Sequence, residues 1–323
     1  MFDIITIGDA TLDTFIVLDD SSSSCHIYKH KTLLCLNYAD KTPIEQSTQS
    51  VGGNAANVAA GTQKLGLKAS IVTELGADIT GHIVHDELEH AGVNTSLIKT
   101  IPGKEKQNSI VLNYQSERTI LSYHAKRAYS LPRLPSTKWI YYTSLGKGFE
   151  KLQNKLTKHL DTHPSTKLAM NPGSYQFKKG LKKIRQLLKR ANILFVNKEE
   201  AVRILDCRMK KPKSLIKDLH NKGVKTVVIT DGSEGSYASN GEEMYKMDVY
   251  PDRPIAKTGA GDAYASGFLA AIHHNKSLPD AMRWGSANAV SVIQKFGAHH
   301  GLCTKSGIQK ILKKYPNINP ETL

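Results

Sequence analysis

The chain has 323 residues, 40% of them hydrophobic and 23% charged, with a formal net charge of +15. This composition excludes a disordered chain and supplies the core of a large α/β domain with a small appendage. The charge draws polyanions, but the 44 Lys and Arg are spread along the chain, without an RNA-binding aromatic motif or zinc-finger spacing. A general basic surface is therefore expected, and nucleic acid is not an expected partner.

The opening MFDIITIGDATLD has no basic segment before its apolar run, and no stretch approaches the roughly 18 apolar residues of a membrane span. Cys25, Cys35, Cys207 and Cys303 form no C-x-x-C pair, which suits free thiols in a reducing compartment. A cytoplasmic protein without a membrane partner is expected.

In chain order, strand signals fall at 3–7, 69–74, 139–144, 167–171, 193–197 and 226–230. Amphipathic helical patterns cover 54–66, 80–91, 147–160, 176–190, 198–206 and 212–222, and the chain turns mostly helical after 257. Strands alternating with helices at this spacing predict a doubly wound, mainly parallel sheet with helices on both faces, an α/β/α sandwich. Residues 14–50 and about 100–125 break the alternation. The first contains SSSS and TLLCLNY; the second contains SIVLNYQSERTILSY, two β runs around a turn at Ser116–Arg118. Together they predict a small β-sheet lid on one domain spanning 1–323. The basic run 178–190 reads as a solvated amphipathic helix, with Leu181, Ile184 and Leu188 on one face.

The segment KTGAGDAYASGFLAA (257–271) sets a puzzle. Gly259, Ala260 and Gly261 suit a cradle of backbone N–H groups around an anion at a helix start, yet Asp262 follows directly. Tyr264 stands where a dinucleotide fingerprint needs its third glycine, and no G-x-x-x-x-G-K-[ST] loop occurs. A carboxylate there repels a merely bound phosphate; it makes sense as a base for a hydroxyl attacking a phosphoryl group held in the cradle. An Asp favouring the positive end of a helix fits the residues equally.

In VGGNAANVAAGTQKLG (51–66), Gly52 and Gly53 allow a ligand close to the backbone, and Asn57 offers a donor and an acceptor to a polyol; a glycine turn opening a buried helix fits as well. NKEEA (197–201) has the spacing of a capping box, Asn197 with Glu200. The same two residues suit the surroundings of a hydrated Mg²⁺. TDGSEGS (230–236) follows a strand and reads as a glycine loop along a nucleotide or as a plain turn.

In this order GGNAANVAAGTQKLG, ELGADITGHIV, NKEEA, TDGSEGS, TGAGDAYASGF and FGAHHGL resemble the ribokinase-like (PfkB-type) carbohydrate kinase family over nearly the whole chain. The resemblance implies ATP-dependent phosphorylation of a hydroxymethyl group on a sugar or nucleoside, with ATP and Mg²⁺. It implies that Asp262 is the base and that the amides of Gly259, Ala260 and Gly261 form the anion hole. Asp13, Gly52, Gly53 and Asn57 would hold substrate, while Glu200 would meet the metal through water. Asn197, Thr230, Gly232, Gly235, Ser286 and Asn288 would line the nucleotide. The lid is implied to close over the sugar and to clasp a second copy in a homodimer. Ala256 and Lys257 replace the family's usual Asp and Thr, so potassium activation is not expected, and Lys257 is expected to stand in partly for the cation. Tyr38, Tyr114 and Tyr123 favour a nucleoside; Lys104, Lys106, Arg118, Lys126 and Arg127 favour a sugar phosphate. A non-catalytic sugar or nucleotide sensor is the alternative from another class.

Overall fold

The computed structural model describes residues 1–19, 25–28, 33–102, 108–114, 117–123 and 127–323. Ser116, Lys104, Lys106, Lys126, the serines at 21–24 and the side chains of Cys25 and Leu181 lie outside this description. The chain opens with β1 (Phe2–Ile7), β2 (Thr11–Leu18), β3 (Cys25–Tyr28), β4 (Leu33–Leu36) and β5 (Ile44–Gly52). Next come α1 (Asn54–Lys64), β6 (Ala69–Val72), β7 (Glu74–Gly76), α2 (Ile79–His90), β8 (Lys99–Ile101), β9 (Asn108–Tyr114) and β10 (Glu117–Tyr123). The alternating part runs β11 (Thr137–Tyr142), α3 (Phe149–Thr162), β12 (Lys167–Met170), α4 (Ser174–Leu188), β13 (Ala191–Asn197), α5 (Lys198–Leu205), α6 (Pro212–His220) and β14 (Thr226–Thr230). It ends with β15 (Ser236–Ser239), β16 (Met244–Met247), α7 (Ala260–His273), α8 (Leu278–Ile293), α9 (Lys305–Lys314) and β17 (Glu321–Thr322).

The main sheet has the order β17-β16-β15-β14-β13-β12-β11-β1-β6, parallel from β14 to β6. Its strands are apolar on both sides because both faces are covered. Ile4, Tyr141, Phe195 and Val228 pack with Phe268 of α7 and Trp284 of α8. Their neighbours Ile5, Tyr142, Leu194 and Val227 face the other way, against Phe149 of α3, Ile184 of α4 and Ile204 of α5. The strand period of two thus splits each run between two cores, and the expected doubly wound sandwich is what forms. Chain order reverses on either side of β1, which puts a crevice at the carboxyl ends of the parallel strands. There Ala55 at the start of α1 donates to the Asp9 carbonyl just past β1.

The second, smaller sheet has the order β10-β9-β2-β5. It draws its strands from both segments that break the alternation, although β2 begins before residue 14. Asp13 lies opposite Ser50 on β5 and Ser109 on β9. The hairpin β3–β4 stands apart from it.

Two strand readings change. The 69–74 run divides because the chain leaves the main sheet at Thr73, whose carbonyl takes the Lys99 N–H as β7 pairs with β8. Beyond β14 the sheet gains an antiparallel edge, β15–β16, at whose turn Asn240–Gly241, with Gly241 at φ 96°, is hairpin chemistry.

Phe268 joins the sheet to the helix that carries Asp262: it is fully buried and meets Phe195 edge-on at 5.4 Å between centroids. Phe268→Ala is expected to cost about 3–5 kcal/mol of unfolding free energy, measured by urea denaturation; a loss below 1 kcal/mol would contradict this packing.

Candidate active site

Helix α7 begins with a set of backbone donors that lack helical partners. Gly259 is its N-cap at φ 82°, and a Cβ there would lie 2.6 Å from Cβ of Ala298. The first closed helical bond runs from Ala263 N–H to the Gly259 carbonyl. The N–H groups of Ala260, Gly261 and Asp262 are therefore left without helical partners, at the positive end of the helix. A Cβ on Gly261 would meet no protein atom within 4 Å, so the space above the turn is open.

Asp262 is 7% exposed. Asn54 Nδ2 donates to its Oδ1 at 3.0 Å and Asn57 Nδ2 to its Oδ2 at 2.8 Å. The two asparagines share one face of α1 because they stand three residues apart. Burial pushes the Asp262 carboxyl up to about 6, helped by the charge of Asp13, while the two amides work against the rise. Such a group gains and loses a proton near neutrality. It can accept one from a hydroxyl while the amides beside it receive negative oxygen.

The residues expected on the substrate side gather next to it. Thr11 Oγ1 donates to Asp13 Oδ1 at 2.8 Å, and burial raises the Asp13 carboxyl above its ordinary value despite hydrogen bonds from Thr11 and Ser109. Gly52 must lack a side chain, since a Cβ would collide with the Asp13 carboxylate. Gly53, at φ 89°, caps α1 directly before Asn54. Asp13, Gly52, Gly53, Asn57 and Asp262 thus converge on one end of the crevice.

The residues expected along the nucleotide form a second group. Asn197 and Thr230 are partners at the ends of β13 and β14. Asn197 and Glu200 close a capping box: Glu200 N–H donates to Asn197 Oδ1 at 2.8 Å, and Asn197 N–H to Glu200 Oε2 at 2.9 Å. Glu200 is half-buried; burial, and then the charges of Asp262 and Glu199, push its carboxyl up to about 7 against the bond from Asn197 and the charge of Arg203. Gly232 has open space around its Cβ position, whereas Gly235, at φ 88°, presses on the Met247 carbonyl and is demanded by the turn itself. Ser286 is half-buried on α8, with Oγ 3.5 Å from Met247 Sδ.

Two expectations are corrected. The Asn288 side chain does not face the crevice. It is fully buried, donates to the Ala263 carbonyl and to Ser266 Oγ, and accepts from Cys303 N–H, so its amide is spent inside the fold. Lys257 is no stand-in for a cation at the neighbouring position: its ammonium is exposed and paired with Glu117 on β10. Ala256 is buried, and its N–H donates to the Ile293 carbonyl.

Two residues of the site escaped the sequence reading. Asn54 shares a face with Asn57, and the i, i+3 spacing in GGNAAN could have revealed it. His299, whose Nε2 lies 3.1 Å from Asn57 Oδ1, had no local signal beyond membership of FGAHHGL.

Comparison with known proteins matches residues 17–305 to the profile of the pfkB family carbohydrate kinases. Over 294 residues the chain is 26% identical to the 5-dehydro-2-deoxygluconokinase of Halalkalibacterium halodurans, covering 84% of this chain and 89% of that one. The nucleoside kinase of Methanocaldococcus jannaschii, an archaeal member of the ribokinase family, superposes with a TM-score of 0.78 at 20% identity, over 97% of this chain and 98% of that one. Arabidopsis thaliana ribokinase, solved with ribose and ATP, gives a TM-score of 0.77 at 19% identity, over 97% and 99%. These two structures show the shared fold.

In ¹³C-carboxyl NMR of the free protein, a carboxyl titrating near 6 and another near 7 are expected. The first should vanish in Asp262→Asn and the second in Glu200→Gln. Asn54→Ala should move the first upward, because a donor to the charged form is lost. Titration of both at ordinary carboxylate values would refute this electrostatic description.

Proposed function

This chain belongs to the pfkB family of carbohydrate kinases, and from that membership we propose that it transfers the γ-phosphoryl group of Mg·ATP to a hydroxymethyl group of a sugar or nucleoside, with Asp262 as general base. The observation that carries the proposal is the buried Asp262 carboxylate, held by Asn54 and Asn57 beside the amides that open α7 without helical partners. The acceptor hydroxyl gives its proton to Asp262 as its oxygen bonds to the γ-phosphorus. The bond from that phosphorus to the bridging oxygen breaks, and ADP leaves with the electron pair. The N–H groups of the Gly259–Asp262 turn take the charge on the phosphoryl oxygens.

In this reading Asp13 accepts from substrate hydroxyls beside Gly52 and Gly53, and Asn57 reaches both substrate and base. Asn197, Thr230, Gly232, Gly235 and Ser286 border the nucleotide. Glu200 fits the metal of Mg·ATP held through water: a half-buried carboxyl raised toward 7 and repelled by Asp262 is a group that a cation returns to its charged form. The small sheet serves as the lid over the substrate, and its exposed outer strand β10 as the face where a second copy would join.

A panel of sugars, nucleosides and sugar phosphates with Mg·ATP, read by ADP release, identifies the acceptor. On that acceptor Asp262→Asn is expected to lower kcat by about 100-fold or more while ATP still binds; a rate that survives the substitution would overturn the assignment of the base. Activity is also expected to stay flat across a potassium titration, since Ala256 offers no carboxylate oxygen. Strong potassium dependence would refute that.

A further inference from the structure

His299 lies in the FGAHHGL loop after α8, far in sequence from both α1 and the start of α7. Its Nε2 stands 3.1 Å from Oδ1 of Asn57. An amide oxygen only accepts, so the imidazole donates and carries a proton on Nε2. The other end of the same amide donates to Asp262 Oδ2 at 2.8 Å. Three separate segments thus form one line of hydrogen bonds ending on one carboxylate.

The direction of that line needs a cause. The two ends of an asparagine amide are nearly the same size, and a half-turn about its last torsion exchanges them. With Oδ1 turned toward Asp262, two acceptors would face each other. Asn57 is 6% exposed, so little water is at hand to compensate a wrong orientation. The carboxylate favours one orientation, and a donor on the far side reinforces it; His299 supplies that donor.

We propose that His299 is a positioning residue for phosphoryl transfer: by donating to Asn57 Oδ1 it locks that amide with its NH₂ toward Asp262, keeping the base charged and aimed. This inference rests on the reading of Asp262 as the base. The ring meets the electrostatic requirement. Burial first, then His300 in the same loop and Lys64 on α1, push its pKa down to about 4, so it stays a neutral donor throughout the neutral range. The groups facing Asp262 are Asp13 on β2, Glu200 on α5 and Tyr141 on β11, and a change at 299 leaves all three in place.

The test compares wild type, His299→Ala and His299→Gln, the last keeping a side-chain N–H donor of similar reach. It reads the Asp262 carboxyl titration by ¹³C NMR without substrate, then kcat against pH. With alanine, the titration and the acid limb of kcat are expected to move together to higher pH. The plateau kcat should fall roughly fivefold, the worth of one buried hydrogen bond, with KM for ATP unchanged. Glutamine should restore both. Alanine titrating like wild type, or glutamine behaving like alanine, overturns the proposal. If the alanine protein does not fold, glutamine decides alone: an unshifted titration supports the proposal and a shifted one overturns it. ¹⁵N shifts of the wild-type ring add a check that needs no variant, and a proton on Nδ1 alone would also overturn it. Full activity in Asp262→Asn would instead remove the base while leaving the titration result standing, so the two failures are distinguishable.

Discussion

A charged carboxylate buried at the head of a helix survives only if something holds it, and the grip of Asn54 and Asn57 on Asp262 is the interaction on which the rest of the site depends. Desolvation alone would neutralise the group. Two amides from a second helix, together with the unpaired N–H groups of its own first turn, keep ionisation within reach of neutral pH. For those amides to arrive, α1 must lie close against α7. Gly61 allows this, because a side chain there would strike Ser266 and come within 3.2 Å of Leu302. Asn288 then ties the same region together through Ala263, Ser266 and Cys303. A residue that bonds nothing in the crevice thereby maintains the contact that sets up the crevice.

The crevice also inverts the electrostatics of the molecule around it. The chain carries +15 overall, yet Asp13, Asp262 and Glu200 are gathered where each raises, or is raised by, another's charge. Mutual repulsion between buried acids marks a place that a cation or a set of hydroxyl donors would relax. Under the proposed function, the basic surface and the acidic pit suit an anionic nucleotide arriving with its divalent metal and a polyol that donates hydrogen bonds. The capping box at Asn197 and Glu200 belongs to the same logic. It is a helix start by local geometry, and it also fixes which way the Glu200 carboxylate faces.

What was legible in the sequence was what is local. Apolar runs such as ILFVN carry a strand's period on both faces, so the covered parallel sheet could be read directly. Gly259, Gly261 and Asp262 announce helix-start chemistry within four residues. What could not be read depends on partners that only folding supplies. Asn288 looks free for a nucleotide until Cys303 and Ala263 claim its amide. Lys257 looks like a cation substitute until Glu117, 140 residues away in sequence, pairs with it. His299 joins Asn57 across 242 residues, a separation at which no spacing rule operates. The β15–β16 hairpin is a different case, since its Asn240–Gly241 turn signal is local and legible in the sequence.

The two halves of the site are held in register by covalent economy rather than by the ion pair that bridges them. Lys257 and Glu117 link the small sheet to the turn before α7, but both are exposed, and such pairs are worth about 0–1 kcal/mol, too little to place a sheet. The placement comes from the connections. Only Gly8, Asp9 and Ala10 separate β1 of the main sheet from β2, which carries Asp13, and β5 passes through Gly53 alone into α1, which carries Asn54 and Asn57. Because β2 and β5 are partners, with Thr11 opposite Gly52, the Asp13 carboxylate and the amides that hold Asp262 leave the same pair of strands at the same end. A short connector cannot drift far without breaking the ladder beside it. The distance between Asp13 and the amides of Asn54 and Asn57 is therefore set by backbone pairing, and the packing of α7 against α1 at Gly61 and Ser266 brings Asp262 to them.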